Sequence, residues 1–155
     1  MGEPYRTKSK VFRRRSFNRI IKRENSKNEK EVETAYGVIG LGRFGEALAM
    51  MLAQSGHEVI AVDKDEKKVK EMRQYTDCAF VADNLSSDTL KEIGIQNCDV
   101  VIICIGEKVD VSVLTTMSVI EMGVPRVIAK ALSPEQGAVL SKLGAEVVYP
   151  ERDML

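Results

Sequence analysis

Glycines at positions 40, 42 and 45 follow the apolar pair Val38-Ile39, and an aspartate, Asp63, lies 18 residues beyond the last of them. Phe44, Leu48, Met51 and Leu52 recur at helical spacing after the glycines, and Val59-Ile60-Ala61-Val62 leads into the aspartate. Strand, glycine turn, helix, second strand and acidic strand end is the order that binding an adenine nucleotide or dinucleotide requires. Gly40 lets the chain turn sharply out of the strand. Gly42, without a side chain, lets a diphosphate approach the backbone. Gly45 lets the helix pack closely on the sheet. The helix start then offers free N–H groups and a partial positive charge to phosphates. The carboxylate of Asp63 can accept hydrogen bonds from ribose hydroxyls. The plain alternatives are a glycine turn that binds nothing and a carboxylate that only caps a helix.

Ligands of such a fold sit at the carboxyl ends of the strands, where the strand order reverses. Residues at those ends are therefore the remaining candidates. The first turn comprises Gly40, Leu41, Gly42, Arg43, Phe44 and Gly45. Arg43 is unusual inside a plain NAD loop, since its guanidinium could hold a terminal phosphate bidentately, which favours ATP or ADP as ligands alongside NAD. Lys64 follows Asp63 and weakens the exclusion of a 2′-phosphate that the aspartate alone would impose. Asp83 and Asn84 end the third strand and could hydrogen-bond an adenine edge. Gly106 ends the fourth strand and admits a nucleoside. Lys130 ends the fifth strand and Glu151 follows the sixth; ordinary surface charge is the alternative for both.

The elements that must position these residues alternate regularly. Strands are expected near 35–40, 58–63, 78–82, 99–105, 126–130 and 146–149, and helices near 43–55, 65–75, 86–93, 109–122 and 134–143. Asp65, Ser86 or Ser87, and Ser133 before Pro134 supply helix N-caps. Right-handed crossovers between parallel strands then give a doubly wound, Rossmann-type α/β sheet of order 3-2-1-4-5-6 with helices on both faces. In the helix from Val109, the residues Val109, Val113, Met117 and Ile120 form one apolar stripe expected to pack on the sheet. Val111, Leu114 and Val119 are apolar elsewhere around it, and a second copy of the domain is a plausible cover.

Composition sets the frame. The chain has 155 residues, of which 44% are apolar and 5% aromatic, without tryptophan. That suits one domain with a parallel-sheet core of aliphatic residues. No apolar run approaches the ~20 residues of a membrane span, and the run from Val100 to Ile105 is strand-sized. Neither a secretory signal nor a myristoylation signal is visible. Cys78, Cys98 and Cys104 form no C-x-x-C pair and read as small buried hydrophobes in a reducing cytoplasm. A net charge of zero conceals a surplus of six positive charges in residues 1–35, balanced by an equal negative surplus beyond. The basic segment reads as a solvated, disordered extension, with contact to an anionic membrane surface as the functional alternative. Nucleic acid is not expected as a partner, because no folded basic surface accompanies the run. The one histidine, His57, falls at the wrong sheet edge for the ligand. No catalytic triad, H-E-x-x-H motif or cysteine–histidine metal cluster is present.

Taken together, Val38-Ile39-Gly40-Leu41-Gly42-Arg43-Phe44-Gly45, Gly56-His57-Glu58-Val59, Ala61-Val62-Asp63, Ala82-Asp83-Asn84, Leu114-Thr115-Thr116, Val127-Ile128-Ala129-Lys130 and the ending Pro150-Glu151-Arg152-Asp153-Met154 carry a resemblance. They closely resemble the N-terminal domain of the regulator of potassium conductance (RCK) family, above all the cytosolic gating subunits of bacterial Ktr-type and Trk-type potassium transporters. The resemblance implies a cytoplasmic regulator, peripheral at the inner face of the cell membrane. It implies homodimers that assemble into a ring below a potassium-translocating membrane subunit, with ATP/ADP or NADH/NAD favouring different ring shapes. By the same resemblance the glycines cradle phosphates and Asp63 holds ribose. Arg43 meets a terminal phosphate near the partner subunit's nucleotide, and Glu151 helps hold a divalent cation such as Mg²⁺ beside ATP. Family members usually continue into a C-terminal ligand-binding domain that this sequence lacks.

The sequence thus points to a 36–155 nucleotide-binding regulatory domain without catalysis, preceded by a basic extension over 1–35. The alternative is the cofactor-binding half of an NAD-dependent oxidoreductase, and a nucleotide-free interaction module is a third class.

Overall fold

The structure is a computed structural model and describes residues 34–150. The basic extension and Glu151 lie outside the described residues. Six strands, β1 (Ala35–Ile39), β2 (Glu58–Asp63), β3 (Cys78–Val81), β4 (Val100–Ile103), β5 (Arg126–Lys130) and β6 (Glu146–Val148), alternate with five helices. The helices are α1 (Arg43–Gln54), α2 (Glu66–Met72), α3 (Ser87–Ile93), α4 (Val109–Glu121) and α5 (Pro134–Leu143). The strands form one sheet of order β3-β2-β1-β4-β5-β6, parallel at every pairing. Fold class and strand order are those the sequence implies.

Nearly continuous apolar strands require cover on both faces. On one face Ala49 of α1 and Val69 and Met72 of α2 pack with Val38, Ala61 and Ile102. On the other, Leu90 of α3, Val119 of α4 and Leu140 of α5 pack with Ile39, Val101 and Ala129. The caps are as expected: Asp65 accepts from Lys67 N at 3.0 Å, Ser86 from Thr89 N at 3.2 Å, and Ser133 from Gln136 N at 3.1 Å. Helix α2 stops short of its expected end. The Thr76 hydroxyl donates to Val59 O at 2.6 Å and accepts from Cys78 N at 3.1 Å, which draws the chain out of the helix and into β3.

The expectation for α4 holds for Val113 and Ile120, which pack against the core, and fails for the rest of the stripe. The buried residues of α4 are Ser112, Thr115, Thr116 and Val119, whereas Val109, Met117 and Leu114 are exposed, Leu114 to 62%. Val113 and Ile120 are only partly buried at the edge of the core. The buried side chains of this helix are mostly small, and the hydroxyls of Ser112 and Thr116 are hydrogen-bonded. Thr116 donates to Ser112 O at 2.8 Å, and Gln136 of α5 donates to the Ser112 hydroxyl at 3.3 Å. With polarity provided for, size rather than hydropathy decides which face turns inward.

Candidate nucleotide site

The glycine turn leaves β1 with Gly40 at φ +103°, a left-handed conformation that disfavours any side chain. Its N–H donates to Val62 O at 2.8 Å, tying the turn to β2. A Cβ there would stand 2.7 Å from Cys104 O. A Cβ at Gly45 would run into the Gly40 carbonyl oxygen and stand 3.1 Å from the Cys104 Cβ. Both glycines therefore serve the packing of α1 against the strand ends. Gly42 differs. It has φ −70°, a value open to any residue, and a Cβ there would meet nothing within 4 Å. Nothing in the protein's own packing calls for glycine at 42. The space above it lies at the start of α1, whose N-cap offers no side-chain hydrogen bond, so first-turn N–H groups face the opening.

A cleft of about 890 Å³ runs over this turn along the carboxyl ends of the strands. Gly40, Gly42, Asp63 and Lys64 line it near β1 and β2, with Asp83 and Asn84 beside β3. Gly106 and Lys130 line it beyond β4 and β5. The remaining sequence candidates stand elsewhere. The Leu41 side chain is buried and that of Phe44 packs against the same core cluster, so these two have only main-chain atoms to offer. Gly45 is buried beneath the turn. Arg43 is exposed and is not part of the cleft wall.

Asp63 braces the site. One carboxylate oxygen accepts from Leu41 N at 2.6 Å and the other from Asp65 N at 2.8 Å. Each oxygen has a second lone pair that a ribose hydroxyl can use. Asn84 Oδ1 is engaged, accepting from Ser86 N at 3.1 Å and from the Thr89 hydroxyl at 2.9 Å. Its carboxamide NH₂ is the part open to an adenine nitrogen. Lys130 is buried, with 8% exposure, which removes the surface-charge alternative for it. The Cys104 thiol also lines the cleft; burial pushes its pKa up to about 12, against an opposing pull from the Lys130 ammonium. It is a neutral thiol at physiological pH.

Sequence reasoning missed Lys68, Glu107, Lys108, Val111 and Leu132, all on the cleft wall. Lys68 stands four residues after Lys64, and Lys108 two after Gly106; proximity to a strand end was the available signal. His57 lies at the start of β2, at the opposite sheet edge, with its ring 5.1 Å from that of Tyr36. Among the described residues no cluster of three or more His, Cys, Asp or Glu is arranged to hold a metal ion. No helix among them is long and apolar enough to cross a membrane.

A parallel sheet of this order with a glycine turn at its switch point is a mononucleotide- or dinucleotide-binding fold. The chain belongs to the TrkA-N domain family, whose model matches residues 36–150. It is 43% identical over 120 residues to the Ktr system potassium uptake protein C of Bacillus subtilis, covering 77% of this chain and 54% of that protein. The chain thus spans about half the length of the curated relatives it matches. In fold it is similar to the TrkA-N domain of the Escherichia coli inner membrane protein ybaL, with a TM-score of 0.69 at 19% identity, covering 80% of this chain and 93% of the other. It is also similar to GsuK bound to ADP, with a TM-score of 0.65 at 24% identity, covering 77% of this chain and 31% of the other.

Proposed function

We propose that this domain is the nucleotide-sensing part of a gating subunit for potassium uptake. It binds ATP/ADP or NAD(H) in the cleft and passes a change of shape to a potassium-translocating membrane subunit. The observation that carries ligand binding is Gly42: an unstrained glycine with no protein atom near its missing Cβ, at an uncapped helix start. The likeness to Ktr uptake protein C supports potassium transport, and that to ADP-bound GsuK agrees with an adenine nucleotide as the ligand.

In this reading the diphosphate lies over Gly42, the ribose meets Asp63 and the adenine edge meets Asn84. Arg43, exposed beside the turn, reaches the nucleotide of a second subunit. Glu151 joins a divalent cation such as Mg²⁺ beside ATP. The domain works as a homodimer, within a larger ring, on the cytoplasmic face of the membrane. A ligand can shift such an assembly only through unequal affinity for its two shapes. It acts as a sensor rather than a catalyst, a reading that the likeness to Ktr uptake proteins C and A supports.

The test is calorimetric titration with ATP, ADP, NADH and NAD, repeated with Gly42→Ala. Binding to the wild type that is lost or strongly weakened in the variant, with the fold intact, is the expected result. Absence of binding would overturn the sensor reading, and turnover of NADH with a reducible substrate would favour an oxidoreductase half.

A further inference from the structure

We propose that Gln136 is a positioning residue for the β4–β5 end of the cleft. Its buried carboxamide ties α4 to the β5–α5 connection and so fixes the gap between Val111 and Leu132. This rests on the reading of the cleft as a nucleotide site and adds how the half of a dinucleotide beyond the diphosphate is held.

Val111 of α4 and Leu132 after β5 both line the cleft. Their own packing holds them weakly. The Leu132 side chain is 48% exposed, and neither residue belongs to the core cluster on either face of the sheet. The start of α4 is loosely held as well. Val109 and Asp110 are exposed, and the N-cap Lys108 makes no side-chain hydrogen bond. Ser112, the residue after Val111, is the first buried residue of the helix. The anchor for both apolar lips therefore lies behind them.

Gln136 supplies that anchor. Its Oε1 accepts from Leu132 N at 2.8 Å, and its Nε2 donates to the Ser112 hydroxyl at 3.3 Å. A carboxamide carries an acceptor and a donor on one planar group. The Leu132 N–H needs the acceptor, so the amino group is the part that faces Ser112. The stem of the side chain is fixed too, because Gln136 N donates to the Ser133 hydroxyl at 3.1 Å. Gln136 is 3% exposed and Ser112 is fully buried. At such depth, displacing either lip leaves a polar group that water does not reach, which is the costly way to lose a hydrogen bond.

Topology decides which ligands feel this brace. A dinucleotide crosses the crevice where the strand order reverses, here between β1 and β4. With ribose on Asp63 and the diphosphate over Gly42, the second ribose and the ring of NADH extend toward β4 and β5, between Val111 and Leu132. ADP ends at its diphosphate and stops short of them. A gap of fixed width is ordered before the ligand arrives, so binding need not order it. A loosened gap adds that ordering cost for NADH and leaves ADP unaffected.

The experiment is calorimetry on the full chain with NADH and ADP, for the wild type, Ser112→Ala, Gln136→Met and the double variant. Each single substitution should lower NADH affinity about three- to tenfold, the value of one hydrogen bond, with ADP affinity held within about twofold. Both substitutions cut the same tie, so the double variant should bind NADH no more weakly than the weaker single variant. NADH affinity unchanged in both single variants overturns the brace. An equal fall in ADP affinity does the same, as do losses that add in the double variant. A wild type that binds ADP but not NADH also overturns it, while leaving the nucleotide site standing. Should Gln136→Met not fold, Ser112→Ala decides. Failure of the wild type to bind ADP at all would instead sink the underlying nucleotide reading.

Discussion

The carboxylate of Asp63 holds the main-chain N–H of Leu41 at 2.6 Å, joining the end of β2 to the middle of the glycine turn. Its other oxygen holds Asp65 N at 2.8 Å, at the cap of α2. One side chain therefore fixes the turn that would carry a diphosphate and remains able to accept from a ribose. The ligand-binding and loop-bracing alternatives for this residue are compatible, because each oxygen has a lone pair to spare.

From that double role follows a double defect. Asp63→Ala leaves the Leu41 and Asp65 N–H groups without their acceptor, and hydrogen bonds to a charged partner are each worth about 1.5–3 kcal/mol. The melting temperature without ligand should fall by several degrees. Addition of ATP or NADH should then raise it far less than in the wild type. A variant with the wild-type ligand-free melting temperature would contradict the bracing role, and one with the full ligand-induced rise would contradict the ribose role.

Three glycines in one turn should respond in different ways to the same added methyl group. Gly42→Ala meets no protein atom within 4 Å and should leave stability within about 0.5 kcal/mol of the wild type, while weakening nucleotide binding. Gly45→Ala drives its methyl into the Gly40 carbonyl and should cost about 1–3 kcal/mol or more by overpacking. Gly40→Ala combines a 2.7 Å approach to Cys104 O with a left-handed φ and should destabilise as well. Urea denaturation and calorimetry on the same three proteins separate these effects. A stability loss for Gly42→Ala matching that of Gly45→Ala would contradict the distinction.

The glycine turn, the strand ends and the caps were legible in the sequence because each is set by local chemistry. A left-handed φ wants glycine, a helix start wants a short oxygen-bearing side chain, and a doubly covered strand wants an aliphatic run. The inward face of α4 was not legible. Its stripe of Val109, Val113, Met117 and Ile120 satisfies the usual apolar spacing, yet Ser112, Thr115, Thr116 and Val119 are the buried residues. The hydrogen bond from Gln136 to Ser112 joins residues 24 apart, so no local pattern announces that these hydroxyls are satisfied. Lys108 was within reach of the sequence, two residues beyond Gly106 at the end of β4, and the crossing from β4 to α4 sets it on the cleft wall.

The outward apolar face of α4 makes self-association testable. Val109, Leu114 and Met117 are exposed, and an apolar helix face of this kind favours burial against another surface. Under the proposed assembly, Leu114→Glu places a charge in a subunit contact. It should shift sedimentation toward the monomer while leaving the melting curve of dilute protein nearly unchanged, since Leu114 contributes little to the core. Unaltered sedimentation in the variant would remove this face from the contact.

Cys104 offers a test through pH. Its thiol ordinarily titrates near 9.0, and burial raises that to about 12 in the folded chain. Between those values the unfolded chain has lost a proton that the folded chain keeps, so stability falls as pH rises. The contribution is complete below about pH 9 and is lost progressively up to about pH 12. Cys104→Ala removes the titrating group, so its urea midpoint should decline less steeply than that of the wild type above pH 9. Below pH 8 the two curves should run parallel, offset by the cavity that the missing sulfur leaves. Alkylation of Cys104 by iodoacetamide at pH 8 should likewise be slow in the folded protein and accelerate in urea, because only the thiolate attacks. Parallel urea-midpoint curves through pH 11, or rapid alkylation of the folded chain, would show a Cys104 that ionises in the cleft.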